Sequence, residues 1–347
     1  MKRRVLLFFA LFYVIVSTAQ HNTSVTTPDH NTINEWLLNN NVPAIAIATI
    51  ENGKLNHLLS YGNTQGGLPA KSNTIFDVAS LTKTVTTLLT LKLVGNGSWD
   101  LDNPLFNYWI DPDVKNDSLH KKITTRHVLS HRTGFANWRW MHQTKKLTFE
   151  FEPGSKFQYS GEGFEYLRKA LENRFDIPFE ELADSLVFKP NKMNDSYLVW
   201  NEHIDSVRFA GAHDKSGNAY DYVKSFKVNA ADNLLTTIED FGNLGVNIIN
   251  RQYLDQNVYD EMISQQSIVR EGINFGLGWI VFNDLPNNEY ALFNAGSDIG
   301  VNALIVLLPK SKRGLIVITN GDNGRALAMK TIGETLGEAG KEILGRF

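Results

Sequence analysis

The sequence predicts an α/β fold: one sheet assembled from the two ends of the chain, with a helical lobe inserted between them. Three observations carry that reading. Near the N-terminus, "AIAIATIENGKLNHLLSYG" (44–62) is two apolar runs around Asn52-Gly53, a strong hairpin signal. Near the other end, "ALIVLLPKSKRGLIVITN" (303–320) repeats the design, with a charged turn between Ala303–Leu308 and Leu315–Thr319. Between them lie helical patterns, "FEYLRKALENRF" (164–175) and "TIEDFGNLGVNIIN" (237–250).

Taken in order, residues 1–19 are separate from the fold. "MKRR" is a basic start, "VLLFFALFYVIV" an apolar run of 12 residues, and "STAQ" offers small residues before a cut after Ala19. This is the pattern of a secretory signal peptide, and the run is short for a membrane span. Cleavage takes away Lys2, Arg3 and Arg4 but no acid, moving the formal charge from −3 to −6. The expected mature protein is therefore periplasmic or secreted, with no stable membrane anchor. Residues 20–32, "QHNTSVTTPDHNT", are polar and expected to be disordered. "TINEWLLNNN" (32–41) reads as a short helix ahead of the first hairpin, and "GRALAMKTIGETLGEAGKEILGRF" (324–347) closes the chain with helical spacing. Without a repeat or a long linker, residues 33–347 read as one composite unit, its helical lobe spanning roughly 98–230.

Composition excludes several functions. With 42% hydrophobic and 20% charged residues the chain can bury a sizeable core. A mildly acidic protein carries no electrostatic footprint for nucleic acid. No cysteine is present, so there is no thiol nucleophile, no cysteine-ligated metal and no lipid-modified cysteine.

The chemistry centres on "FDVASLTKTV" (76–85), which sets Ser80 and Lys83 three residues apart where a helix begins. The apolar spacing of Leu81, Val85, Leu88, Leu89 and Leu93 runs on until "GNG" at 95–97. A helix start carries unsatisfied N–H groups and the positive end of the macrodipole, so lysine there breaks a local rule. As a plain capping serine, Ser80 would prefer Glu or Gln three residues on. As a nucleophile it needs a base, and a partly buried neutral amine can take its proton while the helix end offers N–H groups to an oxyanion. "SLHK" (118–121) has the same spacing but no apolar helix behind it, so Ser118 is not a candidate.

Beyond that motif, the ordered blocks "VPAIAIATIENGKLNHLLSYG", "FDVASLTKTVTTLLTLKLVGNGSWDLDNPL", "ITTRHVLSHRTGF", "EPGSKFQYSGEGFEYL", "TTIEDFGNL", "FGLGW" and "NAGSDIGVNALIVLLPKSKRGLIVITN" cover roughly residues 33–340. The chain resembles the serine beta-lactamase-related family of class C beta-lactamases, D-alanyl-D-alanine carboxypeptidases and related esterases. The resemblance implies a beta-lactamase/transpeptidase-like α/β fold: an antiparallel sheet flanked by helices, plus an all-helical lobe. It implies Ser80 as the acylated nucleophile with Lys83 beside it, and Tyr159 of "YSG" as the proton shuttle. It also implies the backbone N–H groups of Ser80 and Ser297 as the oxyanion site, and no cofactor.

Two departures stand out. The second motif usually ends in Asn, which contacts the lysine and the acyl amide; here Gly161 stands there, followed by Glu162 and Gly163. The third motif usually starts with Lys or His; here it reads Asn294-Ala295-Gly296, which supplies neither cation nor hydroxyl for a substrate carboxylate. Gly161, Glu162, Asn294, Ala295 and Gly296 are thus the expected substrate-binding positions, with Glu162 a candidate partner for Lys83. The expected function is an exported serine hydrolase acting on an ester or a small amide or peptide bond, and a poor beta-lactamase. The alternative is a catalytically weak binding or sensor protein. His127 and His131 in "HVLSH" have helical i, i+4 spacing, but no intervening Glu and no evident third ligand. A structural role at the lobe junction, and no metal, is expected.

Overall fold

A computed structural model describes residues 25–221 and 223–347. The signal-peptide reading and the cut after Ala19 lie outside the described residues. Contrary to the disorder expected for residues 20–32, the chain from Val25 is pinned to the fold. Val25 is buried and its N–H donates to Glu51 Oε1 at 3.2 Å, while the Thr26 N–H donates to the Thr335 carbonyl at 3.3 Å.

Helix α1 (His30–Asn40) begins where Asp29 accepts from the N–H groups of Asn31 and Thr32. Strands β1 (Ala44–Glu51) and β2 (Lys54–Gly62) form the expected hairpin. Asn52 and Gly53 both have positive φ, the conformation a two-residue turn matched to strand twist requires. A short strand β3 (Ile75–Asp77) leads into the turn bearing Ser80 and then α2 (Thr82–Gly95). The lobe carries α3 (Thr125–Leu129), α4 (Gly161–Phe175) and α5 (Phe179–Ala183). Strand β4 (Leu235–Thr237) pairs antiparallel with β3 and opens α6 (Ile238–Ile249), followed by α7 (Gln256–Ile263). The chain then runs through β5 (Ser267–Arg270), β6 (Ile273–Phe275), β7 (Ile280–Leu285), β8 (Glu289–Asp298), β9 (Val301–Leu308) and β10 (Arg313–Thr319). It ends in α8 (Gly324–Thr335) and α9 (Gly337–Gly345). The single closing helix of the sequence pattern is thus broken, at Gly337 with φ 63°.

Among the described residues, eight strands make one antiparallel sheet in the order β2-β1-β10-β9-β8-β7-β6-β5, so the two ends of the described chain meet at β1–β10. Its strands alternate, and both faces are covered. Ala44, Ala46, Ala48 and Ile50 face the core shared with α2, α4 and α6, whereas Ile45 and Ile47 face α1, α8 and α9. Burial on both faces explains why β1 reads as a nearly unbroken apolar run. Helix α6 packs on β1 and β10 of the sheet rather than belonging to the inserted lobe. Among the described residues no helix is long and apolar enough to cross a membrane.

Candidate active site

Helix α2 is buried nearly all round, although five of its residues are threonines. Four of these hydroxyls, those of Thr82, Thr84, Thr86 and Thr90, find partners inside the protein, and that of Thr87 is buried without one. Thr82 Oγ1 donates to the Ala79 carbonyl at 2.7 Å and accepts from the Leu234 N–H at 2.9 Å; Thr86 Oγ1 donates to the Ala230 carbonyl at 2.6 Å. These bonds fix the turn before α2 and clamp the 230–234 segment against it. Ala79 has φ 47°, a left-handed conformation that costs a residue with a Cβ about 1–2 kcal/mol. The Asp77 carboxylate holds that turn by accepting the Ala79 N–H at 2.8 Å.

Ser80 follows on this strained turn, and its hydroxyl caps neither the turn nor α2. Instead Lys83 Nζ donates to Ser80 Oγ at 3.0 Å and to the Ala231 carbonyl at 2.8 Å. Lys83 is only 3% exposed, and its amine lies 4.7 Å from the centre of the Tyr159 ring and 5.7 Å from that of Phe164. Every one of these partners is neutral. Ser80, Lys83 and Tyr159 are therefore brought together, with Tyr159 facing solvent on its other side.

His131 supports Tyr159 from behind. It lies beyond the end of α3, at φ 53°, with its ring 4.3 Å from that of Tyr159. Its Nδ1 accepts the Ser160 N–H at 3.1 Å, which leaves the ring proton on Nε2. Burial, then the nearby Lys83, holds its pKa well below the usual histidine value. His127 turns elsewhere, to the Lys122 carbonyl, so the two histidines share no ligand position. Among the described residues no group of three or more His, Asp or Glu is placed to hold a metal.

The two departures now have physical reasons. Glu162 does not reach for Lys83. Its carboxylate receives the Arg139 guanidinium at 2.8–3.1 Å and the Arg139 N–H at 2.9 Å. Arg139 also pairs with Asp111 at 2.9 Å and Asp113 at 3.1 Å. This clamp fixes the 136–141 loop over the start of α4, where Asn137 accepts the Gly161 N–H through both its side chain and its carbonyl. The loop's Trp138 explains Gly161: a Cβ at that position would lie 2.6 Å from the indole ring.

In the third motif, pairing of β8 with β7 ends at Ile280↔Phe293, leaving the following residues free of a strand neighbour on that side. Gly296 is buried against the turn bearing Ser80; a Cβ there would meet the Val78 carbonyl at 2.1 Å and the Ser80 nitrogen at 2.9 Å. That contact needs glycine, and it brings the Ser297 backbone beside Ser80. Ala295 is exposed. Asn294 faces α2, donating through Nδ2 to Thr84 Oγ1 at 3.0 Å and the Gly278 carbonyl at 3.1 Å, while its Oδ1 accepts the Ala295 N–H. Its amide is spent on the floor of the site.

Acids gather on the same side. Asp77 is pushed up to about 7 by burial, then by Asp232, with Asp298 adding to it. Asp232 is raised by burial, against the pull of Lys83. Sequence reasoning missed Trp138, Arg139, His131's support of Tyr159 and these acids; the aromatic–basic run "ANWRWM" (136–141) was the available signal for the first two.

The Beta-lactamase family model matches residues 29–334. The chain is similar to Penicillin-binding protein 4* of Bacillus subtilis (strain 168), 24% identical over 299 residues, which are 76% of this chain and 64% of that protein. It therefore spans less than two thirds of that relative. It is also similar to Beta-lactamase of Yersinia enterocolitica, 22% identical over 337 residues, 90% of this chain and 84% of that one. Beta-lactamase of Escherichia coli (strain K12) is 24% identical over 286 residues, 78% and 73% of the two chains. In fold, the octameric penicillin-binding protein homologue from Pyrococcus abyssi superposes with a TM-score of 0.76 at 22% identity, covering 90% of this chain and 77% of that one. With the match running from α1 to α8 around the Ser80 site, the chain belongs to the Beta-lactamase family and has its serine-hydrolase-type fold.

Proposed function

We propose that this protein is an exported serine hydrolase that forms an acyl-enzyme on Ser80, cleaves an ester or a small amide or peptide bond, and handles beta-lactams poorly. The observation that carries the reading is the 3.0 Å contact between Ser80 Oγ and a buried Lys83 amine whose other partners are neutral. Lys83 takes the Ser80 proton as Oγ bonds to the substrate carbonyl carbon. The tetrahedral oxyanion lies against the backbone N–H groups of Ser80 and Ser297. As the bond to the leaving group breaks, Tyr159 passes it a proton. Water then adds to the acyl carbonyl, giving its proton back through the same groups; the acid departs and Ser80 regains its hydroxyl.

Poor handling of lactams follows from the third motif, since Asn294 offers no charge to a substrate carboxylate. Intact-mass measurement after incubation with a fluorophosphonate and, separately, a penicillin tests the reading. One fluorophosphonate adduct on Ser80 is expected, absent in Ser80→Ala and unchanged in Ser118→Ala. Labelling that persists in Ser80→Ala defeats the hydrolase and leaves the binding or sensor protein. For export, N-terminal sequencing from the native host is expected to start near Gln20; a retained Met1 defeats it.

A further inference from the structure

Three features converge at the start of α4. The rings of Tyr159 and Phe164 both flank the Lys83 amine, and Gly161 lies between them in the chain, buried at the start of α4. The space a side chain at 161 would fill is taken by the six-membered ring of Trp138, with three of its carbons within 2.8 Å of the would-be Cβ. Trp138 is itself fixed, because the next residue is Arg139, anchored to three carboxylates. Beyond it, Trp140 and Met141 are more than half exposed and continue an apolar surface outward.

Resting on the serine-hydrolase reading above, we propose that Trp138 is the specificity-determining wall of the acyl pocket, and that the acyl group it accepts is uncharged and apolar. An indole face offers no donor or acceptor to an acyl amide, and it rewards removal of methylene groups from water. The opposite side argues the same way. Asn294 turns its amide to the floor and offers no charge to a substrate carboxylate, and Asp232, within electrostatic reach of both Lys83 and Asp298, adds negative rather than positive charge around Lys83. The glycine at 161 and the tryptophan at 138 are one unit, in which a side chain at 161 is excluded by the ring.

The test pairs turnover with stability. The wild-type protein, Trp138→Ala, Trp138→Phe, Gly161→Asn and the Trp138→Ala/Gly161→Asn double variant are assayed with p-nitrophenyl acetate, butyrate and hexanoate, and their Tm values are measured. For the wild type, kcat/KM is expected to rise about fourfold per methylene, the value of one fully buried CH₂. Trp138→Ala flattens that dependence and Trp138→Phe keeps most of it. Gly161→Asn lowers Tm and kcat/KM, and adding Trp138→Ala restores part of both. A wild-type rate indifferent to chain length, a slope unchanged in Trp138→Ala, or additive losses in the double variant overturns the proposal. A wild type that a fluorophosphonate leaves unlabelled defeats the hydrolase reading instead, and the Tm cycle still decides whether Trp138 and Gly161 interlock.

Discussion

Lys83 and Arg139 are two basic side chains at the same end of α4, and they are held in opposite ways. Arg139 meets three carboxylates, two of them on side chains less than a tenth exposed, Asp111 and Glu162. Lys83 is more deeply buried, yet its hydrogen bonds go to a hydroxyl and a carbonyl, two aromatic faces flank its amine, and Asp232 acts on it through space without a direct ion pair. Burying a basic group without a directly paired carboxylate is costly, so the Lys83 arrangement is a poor way to stabilise a fold. Matching a guanidinium to several carboxylates is a good way to fix a loop, and it leaves nothing over for chemistry. On the proposed reading, the contrast separates a side chain that works on a substrate from one that holds the loop beside it.

The largest effect that can break this contrast is on Lys83. Replacing it by Met keeps the volume and removes the amine. Fluorophosphonate labelling of Ser80 is expected to slow by about 10²–10⁴, the range for loss of a general base, with Tm unchanged or raised because a buried amine is gone. If Tm collapses while labelling continues, Lys83 is a structural residue and the contrast is void.

Arg139→Met comes next, with the opposite signature. It strands Glu162 and Asp111 without their counter-charge. Breaking a buried pair costs about 3–5 kcal/mol, but Arg139 is 35% exposed on its side chain, so about 2–3 kcal/mol is expected. That corresponds to a Tm drop of about 3–5 °C for a chain of this size. The labelling rate of Ser80 with a small fluorophosphonate should change far less than in Lys83→Met. A Tm drop below 1 °C shows that the clamp does not hold the loop.

A third measurement sharpens the comparison by asking what the site's acids cost. Asp77 is raised to about 7 in the folded protein, chiefly by burial and then by Asp232, from an ordinary value near 3.8. Between those two values the folded state binds more protons than the unfolded one. The contribution of this group to stability therefore falls as pH rises through that window and levels off above about 7. Asp77→Asn keeps an acceptor for the Ala79 N–H and cannot ionise. Its Tm should match the wild type near pH 4 and exceed it by pH 8, by a free energy of about 1–3 kcal/mol. A Tm difference that is flat from pH 4 to 8 removes Asp77 from the account.

What the sequence made legible follows the same division. The β1–β2 hairpin was readable because Asn52-Gly53 states its own turn, and the β9–β10 pair because both strands are buried on both faces. Ser80 and Lys83 were readable because lysine at a helix start contradicts local preference. The strands β5–β7 went unread: β5 exposes Ile268 and Val269, so its apolar residues mark no buried face. The break between α8 and α9 rests on one positive φ at Gly337 inside an unbroken apolar spacing. Glu162 was visible as a carboxylate, but its partner lies 23 residues earlier, and so does the indole that makes 161 a glycine. Contacts of that span have no periodicity to betray them.

The smallest expected effect concerns Asn294. Its amide already donates to Thr84 Oγ1 and the Gly278 carbonyl, so Asn294→Lys replaces a satisfied floor contact by an ammonium that can keep those two acceptors. A charge-assisted contact is worth about 1.5–3 kcal/mol when fully made. Here the ammonium is divided between the floor and the substrate. The recovery of kcat/KM towards a carboxylated lactam is therefore expected to stay within about tenfold, or about 1.4 kcal/mol, with no gain on a neutral p-nitrophenyl ester. Efficient wild-type hydrolysis of the lactam, indifferent to the substitution, would mean that the carboxylate is held away from the third motif. In that case the uncharged acyl pocket beside Trp138 would no longer follow from charge, and only the steric half of the argument would stand.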